Sequence, residues 1–182
     1  MGKRAVFLDR DGVLTIPVFR DGRSYAPRLL QDFRLYPAAK DAVKRLKKDG
    51  FLVVVVTNQP DVTTGILPER TLAEMHRRLK AALPVDGIEV STATRDAPDR
   101  RRKPEPGMLE DAAGKWDIDL ASSYMVGDRA SDITCGMRAG CRTVFIDLGY
   151  TAEAPPNGQN ATVSGLAEAV NWIRSDAGVD AR

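Results

Sequence analysis

Two carboxylates at the end of a short apolar segment constrain this chain more than any other feature. Residues 5–8 are apolar and mostly β-favouring, and Asp9 and Asp11 follow them directly. This pattern predicts a buried strand that ends at Asp9. Because residues two apart in an extended backbone point to the same face, both carboxylates can converge on one cation or one reacting group. Gly12 allows a sharp turn behind them.

Two other local structures compete with this interpretation. An Asp-Gly hairpin turn between residues 6–8 and 13–15 also satisfies the pattern. A calcium loop that starts at Asp9 requires glycine at its sixth position and glutamate at its twelfth. Those positions hold Leu14 and Arg20, which excludes the calcium loop. The hairpin stays open on these residues alone.

The composition favours one cytoplasmic domain without membrane association. The chain has 182 residues, enough for a domain that buries roughly 70% of the surface of its unfolded form. Cys135 and Cys141 are the only cysteines and lack paired metal spacing, so reduced thiols are expected. No apolar stretch is long enough for a signal-peptide core or a membrane span. The net charge of +2 gives no reason to expect nucleic acid as a partner.

Strands and helices alternate along the chain after an irregular flap at 16–36. Strands are predicted at 51–56, 88–92, 124–126, 143–146 and 161–163, and helices at 39–46, 68–83, 108–116, 131–139 and 166–173. Alternation of this kind predicts right-handed crossovers and a mostly parallel sheet in a three-layer, Rossmann-like α/β sandwich. No segment is long enough for a large cap domain. We expect one domain over residues 1–174 and a frayed tail at 175–182.

Polar residues follow three of the predicted strands. Asp9 and Asp11 end the first, Thr57 and Asn58 the second, and Asp128 the strand at 124–126. Parallel sheets bind ligands beyond the carboxyl ends of their strands. These residues should therefore meet along one edge, which weakens the hairpin alternative.

The motif order resembles the haloacid dehalogenase (HAD) superfamily of phosphohydrolases. The resemblance rests on Asp-x-Asp-Gly after a strand, a threonine at the next strand's end, the loop residue Lys103 and Gly-Asp-x-x-x-Asp at 127–132. Four longer strings are similar to heptose-bisphosphate phosphatases and their histidinol-phosphatase relatives: Phe-Leu-Asp-Arg-Asp-Gly, Val-Thr-Asn-Gln, Arg-Lys-Pro-Glu-Pro-Gly-Met-Leu and Ser-Tyr-Met-Val-Gly-Asp-Arg. The resemblance covers nearly the whole chain.

The resemblance implies four catalytic residues. Asp9 would attack phosphorus and form an aspartyl-phosphate. Asp11 would protonate the leaving oxygen and later deprotonate the hydrolytic water. Thr57 would donate to a phosphoryl oxygen, and Lys103 would stabilise transition-state charge while holding Asp9 in place.

The resemblance also implies a metal and substrate contacts. Mg²⁺ would be bound by the carboxylates of Asp9 and Asp128 and by the backbone carbonyl of Asp11. Asp132 would steady Lys103 or a metal-bound water, although an aspartate in a helix's first turn is also favoured by the helix dipole alone.

Asn58 and Arg102 are the residues implied to contact substrate. Without the Pro-x-Pro-Gly that follows, Arg102 and Lys103 would be read as part of a solvated basic run at 100–103.

The chain departs from its relatives in two loops. Heptose bisphosphatases often carry a Cys-x-His and Cys-x-Cys zinc loop before the Arg-Lys-Pro string, but residues 93–102 contain neither cysteine nor histidine. No structural zinc is therefore expected. We expect this loop to be ordered by its own backbone turns, by salt bridges such as Asp96 or Asp99 with neighbouring arginines, or by substrate. Pro60 and Asp61 also replace a common Ser-Gly pair, so the substrate loop is expected to differ in shape.

These features lead to one main hypothesis and three alternatives. The leading hypothesis is a Mg²⁺-dependent phosphatase that acts on a small phosphorylated sugar, best a heptose bisphosphate, as a monomer or weak oligomer. Histidinol phosphate or another small phosphomonoester is the first alternative. A nucleic-acid 3′-phosphatase is suggested by Arg100 to Arg102, but no aromatic residues alternate with these arginines to stack on bases. A non-catalytic phosphate-binding module is disfavoured because Asp9, Asp11, Lys103 and Asp128 occur together.

Overall fold

Six parallel strands form the centre of this computed structural model, which describes residues 2–97 and 99–179. The described strands are β1 (Ala5–Leu8), β2 (Val18–Arg20), β3 (Arg23–Tyr25), β4 (Leu52–Asn58), β5 (Gly87–Ser91), β6 (Tyr124–Gly127), β7 (Arg142–Ile146) and β8 (Ala161–Val163). The described helices are α1 (Ala39–Lys48), α2 (Pro60–Thr63), α3 (Glu69–Ala82), α4 (Gly107–Trp116), α5 (Ala130–Arg138) and α6 (Leu166–Asp176). The predicted alternation of strands and helices is confirmed.

The sheet order places β1 at the centre. The strands follow one another as β5-β4-β1-β6-β7-β8, and every neighbouring pair is parallel. The chain builds one half of the sheet from β1 to β5 and then returns to the other side of β1 with β6. Ligands bind at such reversals in open α/β sheets. The local hairpin is wrong, because β1 pairs with β4 and β6 and not with residues 13–15.

Helices cover both faces of the sheet. Val6 and Leu8 of β1 belong to a core that includes residues of α1 and α6, whereas Ala5 and Phe7 pack on the opposite face with residues of α4. Alternate β1 side chains thus enter different cores because strand side chains point to opposite faces. The three-layer sandwich is confirmed. The insertion between β1 and α1 contains only the small β2–β3 hairpin among its described strands.

The flap at 16–36 contains regular structure, although its sequence was interpreted as irregular. β2 and β3 pair in an antiparallel hairpin around Asp21 and Gly22, whose φ angles are 52° and 72°. Two positive φ values are typical of the type I′ turn that matches strand twist, and Asp-Gly is a favoured sequence for it. Those two residues were a hairpin signal that the interpretation as an irregular flap overlooked.

The last helix extends past the predicted domain boundary. Helix α6 continues to Asp176, whose carboxylate accepts a hydrogen bond from Tyr124 at 2.8 Å and pairs with Arg142 at 2.7 Å. The boundary predicted after residue 174 therefore falls inside this helix, and fraying of the residues beyond it stays a prediction. Residues 180–182, the last part of that segment, lie outside the described residues.

Both cysteines are free and buried. Burial raises the pKa of each thiol to about 12, so neither reacts readily as a thiolate. Among the described residues, no helix has the length and apolar character needed to cross a membrane.

The packing of α5 on the sheet can be tested with a Gly136→Ala substitution. A Cβ atom at Gly136 would lie 2.6 Å from Cβ of Met125 and 2.7 Å from Cγ2 of Thr143. We expect this overpacking to lower the free energy of unfolding by about 1–3 kcal/mol in urea denaturation. Gly114, inside α4, is the matched control because a Cβ there meets nothing within 4 Å. Gly114→Ala should stabilise by about 0.5–1 kcal/mol, and equal effects of the two substitutions would contradict the packing.

Candidate active site

A buried lysine connects three elements at the carboxyl edge of the sheet. The Nζ atom of Lys103 donates to Oδ1 of Asp9 at 2.7 Å and to the carbonyl oxygen of Val56 at 2.8 Å, and lies 2.7 Å from Oδ1 of Asp132. Burial alone would lower the pKa of Lys103, but the charges of Asp132 and Asp9 raise it above its usual value. The residue is therefore an ammonium ion, and its three N–H donors are all occupied.

Asn58 holds the backbone of this lysine. Its Nδ2 donates to the carbonyl oxygen of Lys103 at 3.0 Å, and its Oδ1 accepts from the Lys103 amide at 3.1 Å. The two bonds attach the loop to the end of β4. Asn58 also lines the cavity above the site, so its expected substrate contact stays a prediction, whereas its positioning of Lys103 is observed.

Asp128 has one oxygen without a hydrogen-bond partner in the described part of the chain. Its Oδ2 accepts a hydrogen bond from the hydroxyl of Tyr150. Its Oδ1 is buried and has no hydrogen-bond partner among the described residues. Gly12 makes room for this carboxylate, because its φ is +91° and a Cβ there would lie 2.1 Å from Oδ2 of Asp128. A buried carboxylate oxygen without a donor is costly unless a cation or another donor meets it.

The acidic cluster fits a divalent cation. Asp9, Asp128 and Asp132 each offer an oxygen within 4.8 Å of the others. Lys103 pairs with Asp9 and Asp132, whereas Asp128 forms no ion pair with a described residue. Burial and the charges of Asp132 and Asp11, opposed by Lys103, raise the pKa of Asp9 to about 6. Burial, Asp9 and Asp132 likewise raise the pKa of Asp128 well above its usual value. The excess negative charge is what a hard cation with oxygen ligands would neutralise.

Within this cluster, Asp132 is less available as a ligand than Asp128. Its Oδ1 lies against Lys103, and its Oδ2 accepts from the Arg129 amide at 3.1 Å as part of the capping box of α5. Asp132 thus caps α5 and pairs with Lys103, and its supporting role in the reaction stays a prediction. The free oxygen of Asp128 and the carboxylate of Asp9 remain the better candidates for metal ligands.

Asp11 is held by several donors. Arg10 donates to it through Nε and Nη2, Thr15 through Oγ1 at 2.8 Å and Gln59 through Nε2 at 2.9 Å. Burial would raise the pKa of the Asp11 carboxyl, but the charge of Arg10 and these hydrogen bonds together keep it below its usual value. The structure therefore holds Asp11 as a carboxylate, the form required of a base.

Gln59 links Asp11 to Thr57. Its Nε2 also donates to Oγ1 of Thr57 at 3.0 Å, and both residues are about 1% exposed. Because the Thr57 oxygen accepts from Gln59, its hydroxyl proton is available for another acceptor. This geometry is compatible with the donor role expected of Thr57.

The loop at 93–104 makes side-chain contacts with the adjoining strand β5 and helix α4. Arg101 pairs with Glu89 of β5 at 2.7 Å and with Asp111 of α4 at 3.5 Å. Asp99 accepts from the Ser91 hydroxyl at 3.0 Å and from the Arg101 amide. Among the described residues Asp99 thus makes hydrogen bonds and not the expected salt bridge. The ion pairs of Arg101 reach the adjoining strand and helix.

A cavity of about 570 Å³ opens above this cluster. Its walls come from the β2–β3 hairpin, residues 57–61 and the loop at 95–105. Arg102 donates through Nη1 to the Ala93 carbonyl oxygen at 2.7 Å and also lines the cavity. Five arginines contribute to the lining: Arg23, Arg28, Arg95, Arg102 and Arg129. Seven acidic residues line it as well: Asp9, Asp11, Asp61, Asp99, Glu105, Asp132 and Glu153. The arginines therefore offer local contacts for an anionic group in a cavity of mixed charge.

Four residues around the site were assigned no role from the sequence. Arg10 is fully buried and binds Asp11, Gln59 joins Asp11 to Thr57, Arg129 bonds to Ser24 of the hairpin, and Tyr150 bonds to Asp128. Arg10 and Arg129 each stand next to a predicted site aspartate, a weak signal by itself. Tyr150 had no signal, because it lies in a loop whose path depends on the fold.

The fold and this site define the class of HAD-like hydrolases. The HAD-hydrolase-like family profile matches residues 100–169. The crystal structure of D,D-heptose 1,7-bisphosphate phosphatase from B. bronchiseptica, complexed with magnesium and phosphate, superposes with a TM-score of 0.81 at 27% identity. The match covers 95% of this chain and 99% of that one.

Two curated relatives identify the group more closely. D-glycero-D-manno-heptose-1,7-bisphosphate 7-phosphatase of Thermosynechococcus vestitus is 33% identical over 95% of this chain and 96% of its own. D-glycero-beta-D-manno-heptose-1,7-bisphosphate 7-phosphatase of Pseudomonas putida is 34% identical over 80% and 83%, respectively. The chain therefore belongs to the HAD-like family of phosphatases, as its motifs implied, and is a phosphoric monoester hydrolase.

The ionic role of Lys103 can be tested by a Lys103→Met substitution. Removal of the ammonium group leaves Asp9 and Asp132 buried without their shared partner, which commonly costs about 3–5 kcal/mol. Without the cation the folded-state pKa of Asp9 rises further above its unfolded value, so stability is retained at low pH and lost as pH rises. Urea unfolding should therefore show a smaller deficit at pH 5 than at pH 8.

The control for that variant is Lys44→Met, which removes an exposed lysine from α1. It should change the free energy of unfolding by no more than about 0.5 kcal/mol. A Lys103→Met deficit that does not vary with pH would contradict the buried charge cluster.

Proposed function

We propose that this enzyme is a Mg²⁺-dependent D-glycero-D-manno-heptose 1,7-bisphosphate 7-phosphatase that works through an aspartyl-phosphate. The observation that carries the mechanism is the buried Asp9–Lys103–Asp132 cluster beside the unpartnered oxygen of Asp128. The substrate assignment is supported by the names of the curated relatives. A sugar phosphate entering the cavity reaches Asp9 at its base.

In the first half-reaction, Asp9 attacks phosphorus. Lys103 engages its Oδ1, so Oδ2 forms the new bond while the bond from phosphorus to the sugar C7 oxygen breaks. Asp11 takes up a proton from solvent, or keeps the one it took from water in the preceding turnover, and gives that proton to the departing oxygen. Because that carboxyl is held as a base, its contacts with Arg10 must loosen when it carries the proton.

In the second half-reaction, water attacks the phosphoryl group on Asp9. Asp11 takes the water proton, the bond from phosphorus to Asp9 breaks, and inorganic phosphate leaves. The hydroxyl of Thr57 donates to a phosphoryl oxygen throughout. Lys103 acts through its charge and by fixing Asp9, because its donors are occupied in the resting site.

The cation belongs beside Asp9 and Asp128. These two carboxylates, with the backbone carbonyl of Asp11, would hold Mg²⁺. The bound ion would offset the repulsion between the phosphate dianion and the attacking carboxylate. The buried free oxygen of Asp128 and the negative excess of the cluster support this assignment.

Two arginines of the cavity are available to bind a second phosphate group. Arg28 pairs with Asp61, and Arg129 pairs with Glu153, whereas Arg23 and Arg95 make no ion pair with any described residue. Those two arginines lie on different walls of the cavity. They are available to the phosphate that does not react, and Arg102 is available to the sugar between the two phosphates.

The cysteines bear on the cellular setting of the enzyme. We place the enzyme in the cytoplasm, as a monomer or weak oligomer that needs neither nucleic acid nor membrane. The free buried thiols support a reducing compartment.

A substrate panel tests the proposed function. Heptose 1,7-bisphosphate, heptose 7-phosphate, histidinol phosphate and a 3′-phosphorylated oligonucleotide should be compared by kcat/KM with Mg²⁺. The bisphosphate should give the highest value, and ³¹P NMR should show that the phosphate on C1 remains. Preference for histidinol phosphate or the oligonucleotide would replace the proposed substrate.

The nucleophile is tested with Asp9→Asn. An amide cannot attack phosphorus, so kcat should fall on the order of 10⁶-fold while the circular dichroism spectrum is retained. Asp41→Asn, an exposed substitution in α1, is the matched control and should keep wild-type kcat. Near-normal turnover by Asp9→Asn would refute covalent catalysis through this residue.

The metal requirement can be separated from structural zinc. Residues 93–102 contain no cysteine or histidine, so protein purified without added metal should contain no stoichiometric zinc by elemental analysis. EDTA should abolish activity, and Mg²⁺ alone should restore it fully. A need for zinc in that restoration would show ligands elsewhere in the chain.

A further inference from the structure

Tyr150 contacts both the acidic cluster and the flap hairpin. It follows β7 and is half-buried. Its hydroxyl donates to Oδ2 of Asp128. Its ring stacks on Phe19 of β2, with the ring centroids 5.9 Å apart and the planes at 22°. One side chain thus joins a proposed metal ligand to the β2–β3 hairpin.

We propose that Tyr150 is a positioning residue that fixes the Asp128 carboxylate for Mg²⁺ and makes its orientation depend on docking of the β2–β3 hairpin. The inference rests on the proposed Mg²⁺ site. It assigns the metal affinity partly to a residue that touches neither metal nor substrate.

The hydrogen bond determines which oxygen is free. Because Tyr150 engages Oδ2, the unpartnered Oδ1 is the atom left to bind a cation. A carboxylate with one oxygen held by a donor has fewer rotamers, so less freedom is lost when the ion binds. Partners of this kind commonly contribute 10- to 100-fold to metal affinity or activity.

The stacked ring connects this bond to the hairpin. The amides of Thr151 and Ala152, next to Tyr150, both donate to the Gly22 carbonyl oxygen at 3.2 Å. On the other side, Arg129 donates to Ser24. The hairpin is therefore attached to the residues that follow Asp128 and to the loop that carries Tyr150.

The consequence is a thermodynamic coupling between hairpin docking and metal binding. Phe19 is 58% exposed, and its ring stacks on Tyr150. A hairpin that moves away takes the stacking partner with it and loosens Tyr150 on Asp128. By linkage, Mg²⁺ should in turn favour the docked hairpin.

The test is direct titration of the metal-free protein with Mg²⁺ by calorimetry. Tyr150→Phe keeps the ring and removes the hydroxyl, and its Mg²⁺ Kd should rise about 10- to 100-fold. At saturating Mg²⁺ its kcat should recover, because the variant retains every catalytic group. Tyr124→Phe is the matched control, since it also loses a hydroxyl bond to an aspartate, Asp176, away from the cluster.

A double-mutant cycle tests the link to the hairpin. Phe19→Leu removes the stacking and should raise the Mg²⁺ Kd by about two- to tenfold in the wild-type background. In the Tyr150→Phe background the same change should have a smaller effect, because the bond that it supports is already gone.

Each result has a definite meaning. Wild-type Mg²⁺ affinity in Tyr150→Phe, or equal losses in Tyr150→Phe and Tyr124→Phe, would overturn the positioning role. Additive effects in the cycle would overturn the coupling. Absence of Mg²⁺ binding to the wild-type protein would instead remove the proposed metal site itself, and with it this inference.

Discussion

The contacts of the Lys103 ammonium group support the rest of the site. Two buried carboxylates from β1 and α5 and one carbonyl from β4 converge on a single Nζ atom. Isolated charges at this depth would be strongly unfavourable, and they persist because each has a partner. The lysine therefore joins the sheet edge to a helix and presents Asp9 at the base of the cavity.

This arrangement leaves negative charge that Lys103 does not neutralise. Lys103 compensates only part of the charge of Asp9, Asp132 and Asp128, and the raised pKa values of Asp9 and Asp128 reflect the remainder. The cluster can be relieved by protons or by a metal ion, and the unpartnered oxygen of Asp128 favours the ion. Because the cluster is folded but carries unneutralised negative charge, it is suited to binding Mg²⁺, and with the ion a phosphate group.

Much of this architecture could be predicted because it depends on local patterns. The continuous apolar β-branched segment of β4 predicts a strand covered on both faces, and polar residues at three strand ends predict their convergence. The partners of those residues depend on distant contacts. Nothing near Asn58 indicates that it holds Lys103, which is 45 positions away, and nothing near Tyr150 indicates Asp128. The β2–β3 hairpin, in contrast, has a local sequence signal in Asp21-Gly22. The surrounding prolines led to the prediction of an irregular flap instead.

The central claim is that the phosphoryl group passes through Asp9, and an acid-quenched single turnover tests it most directly. Enzyme in excess over ³²P-labelled sugar phosphate should be quenched within the first turnover, digested and analysed by mass spectrometry. The account predicts one phosphoryl group on the peptide that contains Asp9, and its disappearance as inorganic phosphate forms. Label on a different residue, or release of phosphate without any labelled enzyme at the shortest times, would contradict it.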